Sequence, residues 1–266
     1  MTNSINSTFQ LGKQTLSYQQ QGSGTPLVLI HGMATDHRLW QPQLEAFAAS
    51  HAVISYDLRG FGTSSRPIEP YTAEDDLAAL LDHLKVDSAH ILGLSLGSSI
   101  ATRFALNHPQ RCQSLIAAGP VLQGFDDARD FMTGLKQVWG TAKELGLDAA
   151  REQWLNLPLF AGLTPSSVYG SLGLQMINDY DGWHWLNRDP ETWPEVMPAE
   201  RLADISCPTL IISGENEMAG LQRAGAFMLA QIPDAKAVFI EAAGHMVNLE
   251  QPDLFNQPVV SFLNSV

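Results

Sequence analysis

The sequence is poor in basic residues and contains no long apolar run. Its 266 residues include 15 Lys and Arg against 28 Asp and Glu, which leaves a net charge of −13. No Lys/Arg cluster forms the basic patch that nucleic-acid binding requires, and the acidity disfavours anionic membranes and highly anionic substrates. No apolar run approaches the roughly 20 residues of a membrane span. We therefore expect neither a nucleic-acid nor a membrane partner.

Cysteine is also scarce. Cys112 and Cys207 are separated in sequence, belong to no CxxC pair and have no neighbouring histidine. They are therefore expected to be reduced thiols and not metal ligands. The first six residues, MTNSIN, lack the basic-then-apolar pattern of a signal peptide. Together these features predict a cytoplasmic protein.

Hydrophobic residues make up 45% of the chain, which is enough for a sizeable core. Short apolar runs alternate with segments of helical periodicity, and such runs suit strands buried on both faces of a parallel sheet. This alternation predicts an α/β fold with a mostly parallel central sheet flanked by helices. The predicted elements are an N-terminal hairpin (8–11 and 13–19), strands at 27–30, 51–56, 89–94, 112–118, 209–213 and 237–241, and helices at 73–84, 98–107 and 221–231.

One interval, from Val121 to Leu202, contains no strand-like run. It holds five of the six tryptophans and apolar residues at helical spacing. We interpret residues 122–202 as a helical cap inserted into a core domain made of 1–121 and 203–266. Since ligand sites are mostly apolar, some of its large side chains are expected to line a pocket: Phe131, Met132, Trp139, Trp154, Phe160, Tyr169, Met176, Trp183 and Trp185.

Two helix starts are predicted within this interval. Asp126 and Asp127 offer capping side chains to a helix that would end at Gly140. Thr164 followed by Pro165 is typical of another helix start, with proline in the first turn.

The strongest chemical signal is Gly93-Leu94-Ser95-Leu96-Gly97. A G-x-S-x-G between a strand and a helix is typical of a nucleophile elbow, a strained turn that presents the serine hydroxyl at a helix N-terminus. Small neighbours allow the chain to bend sharply. The motif predicts that Ser95 is a nucleophile.

A serine nucleophile needs a histidine base, which a carboxylate holds in place. His245 follows the last strand-like run, where a parallel sheet delivers side chains to its carboxyl edge, so it is the predicted base. The carboxylate is expected at the end of the 209–213 strand, where both Glu215 and Glu217 are candidates. Apart from His31, the remaining histidines are expected to be structural or solvated: His37, His51, His83, His90, His108 and His184.

The order Ser95, Glu217, His245 resembles the α/β-hydrolase family over nearly the whole chain. Three further motifs carry the resemblance: His31-Gly32-Met33 after a strand, the D-x-R-G-x-G-x-S turn at 57–64, and Gly244-His245 followed by Glu250, Pro252 and Phe255.

The resemblance assigns further roles. It favours Glu217 over Glu215, because the family's acid usually lies three residues after the glycine that ends the strand, although that acid is more often Asp. It also implies an oxyanion hole formed by the backbone amides of Met33 and Leu96. His31 is expected to orient that loop.

The expected chemistry is acyl transfer through Ser95, with no metal and no organic cofactor. A small apolar ester is the favoured substrate, and a lactone is the close second. A C–C bond hydrolase with the same triad stays open, as does a non-catalytic ligand-binding protein on this fold. The sequence gives no oligomeric state.

Overall fold

An eight-stranded sheet runs through the centre of the molecule. The computed structural model describes residues 5–266. Residues 1–4 lie outside the described part, and they belong to the N-terminal segment that lacks the features of a signal peptide. The strand order is β1-β2-β4-β3-β5-β6-β7-β8. The strands are β1 (Ile5–Leu11), β2 (Gln14–Gly22), β3 (Thr25–Ile30), β4 (His51–Tyr56), β5 (Ala89–Leu94), β6 (Cys112–Ala118), β7 (Thr209–Gly214) and β8 (Ala235–Ile240).

Helices connect and cover these strands. Helix α1 packs against α11, and α2 packs against α3. The α-helices in residues 5–266 are α1 (Gln41–Ala48), α2 (Ala73–His83), α3 (Leu96–Asn107), α4 (Arg129–Leu145), α5 (Leu147–Leu155), α6 (Val168–Asp179), α7 (Trp183–Leu186), α8 (Pro198–Arg201), α9 (Ala219–Gln231), α10 (Val247–Glu250) and α11 (Pro252–Leu263). Short 3₁₀ helices lie at His37–Trp40, Pro109–Arg111, Pro158–Phe160 and Leu202–Asp204.

The sheet places the candidate residues on one edge. Strands β3 to β8 are parallel, whereas β1 and β2 form an antiparallel hairpin whose second strand pairs antiparallel with β4. The carboxyl ends of parallel strands share one edge of a sheet, so the residues after β3, β5, β7 and β8 converge there. The predicted α/β fold is confirmed.

The accuracy of the strand predictions follows burial. Strands β4, β5 and β6 have the predicted bounds, and almost every residue in them is buried. Strand β8 begins two residues earlier than predicted and ends one residue earlier. It is an edge strand in which Lys236 breaks the apolar run and Phe239 is exposed.

The helix starts predicted between β6 and β7 are wrong by about three residues. Helix α4 begins at Arg129 with no side-chain cap, and the Asp127 carboxylate instead lies 2.8 Å from Arg223 on α9. Helix α6 begins after Ser167, whose hydroxyl accepts a hydrogen bond from the Gly170 amide. The Thr164 carbonyl accepts from the Ser167 amide, in the turn before the helix.

The two cysteines are neighbours in space. Cys112 and Cys207 are free and buried, and their sulfur atoms lie 3.7 Å apart. Their separation in sequence did not predict this contact.

None of the helices in residues 5–266 combines the length and apolar character needed to cross a bilayer. The cytoplasmic location stays a prediction.

Gly140 does not end helix α4, contrary to the prediction. The helix continues to Leu145 and stops at Gly146, whose φ of 89° lies in the region that favours glycine. A Cβ added at either glycine would meet no heavy atom within 4 Å. The two positions therefore differ in backbone conformation and not in the space around them.

We expect Gly140→Ala to raise the free energy of unfolding by about 0.5–1 kcal/mol, because alanine is the better helix former. Gly146→Ala should lower it by about 1–2 kcal/mol, because a Cβ is strained at positive φ. Urea denaturation of both variants measures the difference. Equal destabilisation by the two changes would contradict a helix that continues through Gly140.

Candidate active site

Ser95 lies in a strained turn between β5 and α3. Its φ is 57° and its ψ is −116°, a conformation that non-glycine residues rarely adopt. A Cβ on Gly97 would overlap the carbonyl oxygen of Ile30, and a Cβ on Gly93 would overlap the carbonyl of Gly97. The turn therefore requires both glycines of the motif, because backbone segments meet at both positions. The Ser95 amide donates to the Ala118 carbonyl at 2.9 Å, which ties the turn to β6.

Ser95 faces a cavity of about 610 Å³. Met33 and Leu96 also line this cavity, whereas Glu217 and His245 are not among its described lining residues. The segment between β6 and β7 supplies much of the apolar wall through Phe131, Met132, Leu135, Trp139, Trp154 and Trp185. Five of the nine large side chains expected at a pocket are among these, and the other four do not line the cavity: Phe160, Tyr169, Met176 and Trp183.

His245 and Glu217 form a buried pair. His245 Nδ1 lies 2.7 Å from Glu217 Oε2, and the other carboxylate oxygen accepts from the Met218 amide at 2.8 Å. An imidazole that donates from Nδ1 keeps its lone pair on Nε2. That nitrogen is buried and has no hydrogen-bond partner within residues 5–266. The pair thus presents an oriented imidazole with a free basic nitrogen.

The His245 ring and the Ser95 turn have a common neighbour at the end of β6. A Cβ on Gly119 would come within 3.0 Å of Nδ1 and Cε1 of this ring. Gly119 follows Ala118, whose carbonyl accepts the Ser95 amide. The end of β6 therefore contacts both the Ser95 turn and the His245 ring.

Of the two candidate acids, only Glu217 contacts His245. Glu215 is exposed, and its carboxylate lies 3.3 Å from the Ala242 amide. The turn after β7 closes when the Glu217 amide donates to the Gly214 carbonyl at 3.2 Å, and it directs the two glutamates to different surroundings. The residues alone left both glutamates open, and the resemblance to the family favoured Glu217.

Glu250 fixes the loop that carries His245. Its carboxylate accepts from the Gly244 amide at 2.7 Å and from the Met246 amide at 3.0 Å, one residue on each side of the histidine. Burial raises the pKa of Glu250, although these two amides oppose the shift. We call Glu250, together with the two amides that donate to it, the Glu250 clamp. A Cβ on Gly162 would overlap the Glu250 carboxylate, so the segment between β6 and β7 packs directly on this clamp. The sequence pattern included Glu250 without giving it a role.

His31 supports the loop that carries Met33. Its Nε2 accepts from the Leu58 amide at 3.0 Å, so the proton resides on Nδ1, which donates to the Gly32 carbonyl at 2.8 Å. Burial lowers the pKa of His31, which favours this neutral form. The amide of Met33 has no acceptor among the described residues, and that of Leu96 is the first N–H of α3. Both donors are available to a ligand oxygen.

A second group of polar residues offers ligand atoms of the kind that hold metal ions, and each residue is already engaged within the protein. Potential ligand atoms of Asp36, His37 and Asp57 lie within 4.8 Å of one another, a grouping that sequence spacing did not predict. Asp57 already accepts from the amide and Nδ1 of His37, and Asp36 pairs with Arg38 at 2.7 Å. These hydrogen bonds and this ion pair connect the His37 segment to the turn after β4.

The family follows from comparison with known proteins. A family model described as the alpha/beta hydrolase fold matches residues 25–252. The chain belongs to the α/β-hydrolase family. The resemblance drawn from the sequence motifs is confirmed.

Similar proteins within the family are hydrolases by name. "Putative carbamate hydrolase RutD" of Azorhizobium caulinodans is 30% identical over 96% of this chain and 97% of its own length. "Carboxylesterase YbfK" of Bacillus subtilis is 28% identical over 89% of this chain and 79% of its own. The solved enol-lactonase from Burkholderia xenovorans has a TM-score of 0.76 and 25% identity, covering 97% of this chain and 100% of that one. These names support a hydrolase activity.

We expect Glu217→Gln to lower kcat for a chromogenic ester by as much as about 10⁴-fold, because an amide can stabilise the wrong imidazole tautomer and does not stabilise an imidazolium. Glu215→Gln is the matched control and should change kcat by less than about twofold, because its carboxylate does not touch His245. Circular dichroism checks the fold of both variants. A greater loss in Glu215→Gln would place the acid two residues earlier.

Proposed function

We propose that this protein is a serine hydrolase that cleaves small apolar carboxylic esters through an acyl-enzyme intermediate. One observation carries the proposal: Ser95, strained at a strand-to-helix turn, opens onto an apolar cavity beside the buried Glu217–His245 pair. A strained residue persists only where the surrounding structure holds it, and such residues cluster at active sites. A binding protein would have no need of that strain.

Each residue of the site has a role in the proposed mechanism. His245 Nε2 takes the hydroxyl proton as Ser95 attacks the ester carbonyl, and the histidine returns that proton to the leaving alcohol. Glu217 orients the ring and stabilises the imidazolium. The amides of Met33 and Leu96 donate to the oxyanion, where charge develops in the transition state. Water, activated by the same histidine, then releases the acid. No metal or organic cofactor takes part.

The cavity supports the substrate class. Its walls are mainly apolar and aromatic, and its volume suits a small molecule. We infer that residues 122–202 act as a cap, because this segment supplies much of that wall and contacts the Glu250 clamp. A lactone is the second candidate substrate, favoured by the similarity to the enol-lactonase, since ring opening uses the same acyl transfer to serine.

Turnover of p-nitrophenyl acetate and butyrate tests the proposal. Wild type should release p-nitrophenol, and Ser95→Ala should reduce kcat by at least about 10³-fold because it removes the nucleophile. Phenylmethylsulfonyl fluoride should label Ser95 and no other serine, as peptide mapping would show. A rate in Ser95→Ala equal to that of wild type would overturn the proposal and favour the ligand-binding alternative.

A further inference from the structure

Two hydroxyl groups of the apolar cavity take no part in the proposed reaction and have no hydrogen-bond partner among the described residues. Tyr56, at the end of β4, and Ser99, on α3, both line the cavity and are 0% and 3% exposed. The hydroxyl oxygen of each is buried and has no hydrogen-bond partner in the described part of the chain. Gln123 Oε1 and Trp154 Nε1, on two other lining residues, also lack a partner in that part of the chain. Buried polar groups are nearly always hydrogen-bonded, so such groups in one cavity point to a partner from outside the chain.

The helix explains why Ser99 lacks a partner. A serine within a helix usually donates to the carbonyl four residues earlier, which here belongs to Ser95. That carbonyl already accepts from the Ser98 hydroxyl at 2.6 Å and from the Ser98 and Ser99 amides. The Ser98 hydroxyl in turn accepts from the Val121 amide at 3.0 Å. Ser98 is therefore satisfied within the protein, whereas the neighbouring Ser99 hydroxyl is left for another group.

The charged residues around Tyr56 form ion pairs with one another. Arg59 pairs with Asp76 at 2.5 Å, and Arg103 pairs with Glu74 at 2.8 Å and with Glu191 at 2.5 Å. The Nη1 atom of Arg103, one turn beyond Ser99, also has no partner among the described residues. Burial raises the pKa of Tyr56, so its hydroxyl keeps its proton and acts as a donor.

We propose that Tyr56 and Ser99 form a polar subsite that binds an uncharged oxygen of the substrate, such as a ketone, ether or hydroxyl group. This deepens the proposed function and rests on it. Ser99 follows Ser95 by four residues of α3, which corresponds to about 6 Å along the helix. The preferred substrate is therefore an ester or lactone with a second oxygen function about one helical turn from the carbonyl that Ser95 attacks.

The charges nearest Tyr56 favour a neutral oxygen over a carboxylate. Glu74, Asp76, Glu191 and Arg103 lie close enough to act on Tyr56, and together with Arg59, the partner of Asp76, these five groups carry one negative charge in excess. Each guanidinium already has a carboxylate partner. Lys143 and Arg188 also line the cavity and have no ion-pair partner among residues 5–266, but they are not among the charges that act most strongly on Tyr56. An anion beside Tyr56 would therefore meet an excess of carboxylates, whereas a neutral oxygen needs only the two hydroxyl donors.

Three p-nitrophenyl esters of matched length test the proposal. The hexanoate is apolar, the 5-oxohexanoate carries a ketone on the fifth carbon, and the monoester of glutaric acid carries a carboxylate there. Wild type should have the highest kcat/KM for the oxo ester. A higher value for the glutarate monoester would overturn the assignment of an uncharged group, and equal values for the oxo ester and the hexanoate would overturn the subsite.

Two variants remove the proposed donors. Tyr56→Phe and Ser99→Ala should each lower the ratio of kcat/KM for the oxo ester to that for the hexanoate by about two- to tenfold, the range for one hydrogen bond. The ratio is the readout because a loss of folded protein lowers both values alike. Ser98→Ala and Tyr18→Phe, which remove hydroxyls outside the cavity lining, should leave the ratio unchanged.

An unchanged ratio in Tyr56→Phe and Ser99→Ala would mean that water alone satisfies these hydroxyls, and the subsite would be rejected. If wild type cleaves none of the esters, the proposed function fails on its own. Binding then decides the subsite: Ser95→Ala is titrated with methyl 5-oxohexanoate and methyl hexanoate by calorimetry, with and without Ser99→Ala. Tighter binding of the oxo ester that Ser99→Ala removes would support the subsite, and equal binding would reject it.

Discussion

The close approach of helix α3 to strand β3 is the constraint on which the site depends. Gly97 lies against the Ile30 carbonyl so tightly that a single Cβ would overlap it. This contact sets the helix N-terminus directly behind the turn and holds Ser95 at a φ of 57°, a strain of order 1–3 kcal/mol that the packed sheet must offset. It also fixes the direction of α3, and with it the Leu96 amide and the Ser99 hydroxyl along the cavity wall.

The remaining parts of the site are held by hydrogen bonds between loops at the same edge of the sheet. Glu217 follows β7 and meets His245 after β8, while Glu250 accepts from both amides that flank the histidine. His31 joins the loop after β3 to the turn after β4. The strands thus hold the loops in position, and the loops carry the functional side chains, as is usual for α/β folds. The segment between β6 and β7 adds the apolar wall and closes over Glu250.

The features of the fold and the site that depend on local sequence pattern could be predicted. Strands β4, β5 and β6 have the predicted bounds because continuous burial leaves an unbroken apolar run. The elbow at Ser95 could be found because its backbone geometry demands glycine at fixed positions. The start of α4 could not, because Asp127 pairs with Arg223 on a distant helix instead of capping its own. Tyr56 and Ser99 gave no signal, since an unpaired hydroxyl arises only when packing and competing partners are known.

The central claim is that Ser95 becomes covalently acylated during turnover, and rapid acid quenching tests it most directly. Protein mixed with p-nitrophenyl butyrate would be quenched within one turnover, digested and analysed by mass spectrometry. A butyryl group is expected on the peptide that contains Ser95, formed at the rate of the p-nitrophenol burst and lost at the steady-state rate. Turnover with no acylated peptide, or with the acyl group on another residue, would contradict it.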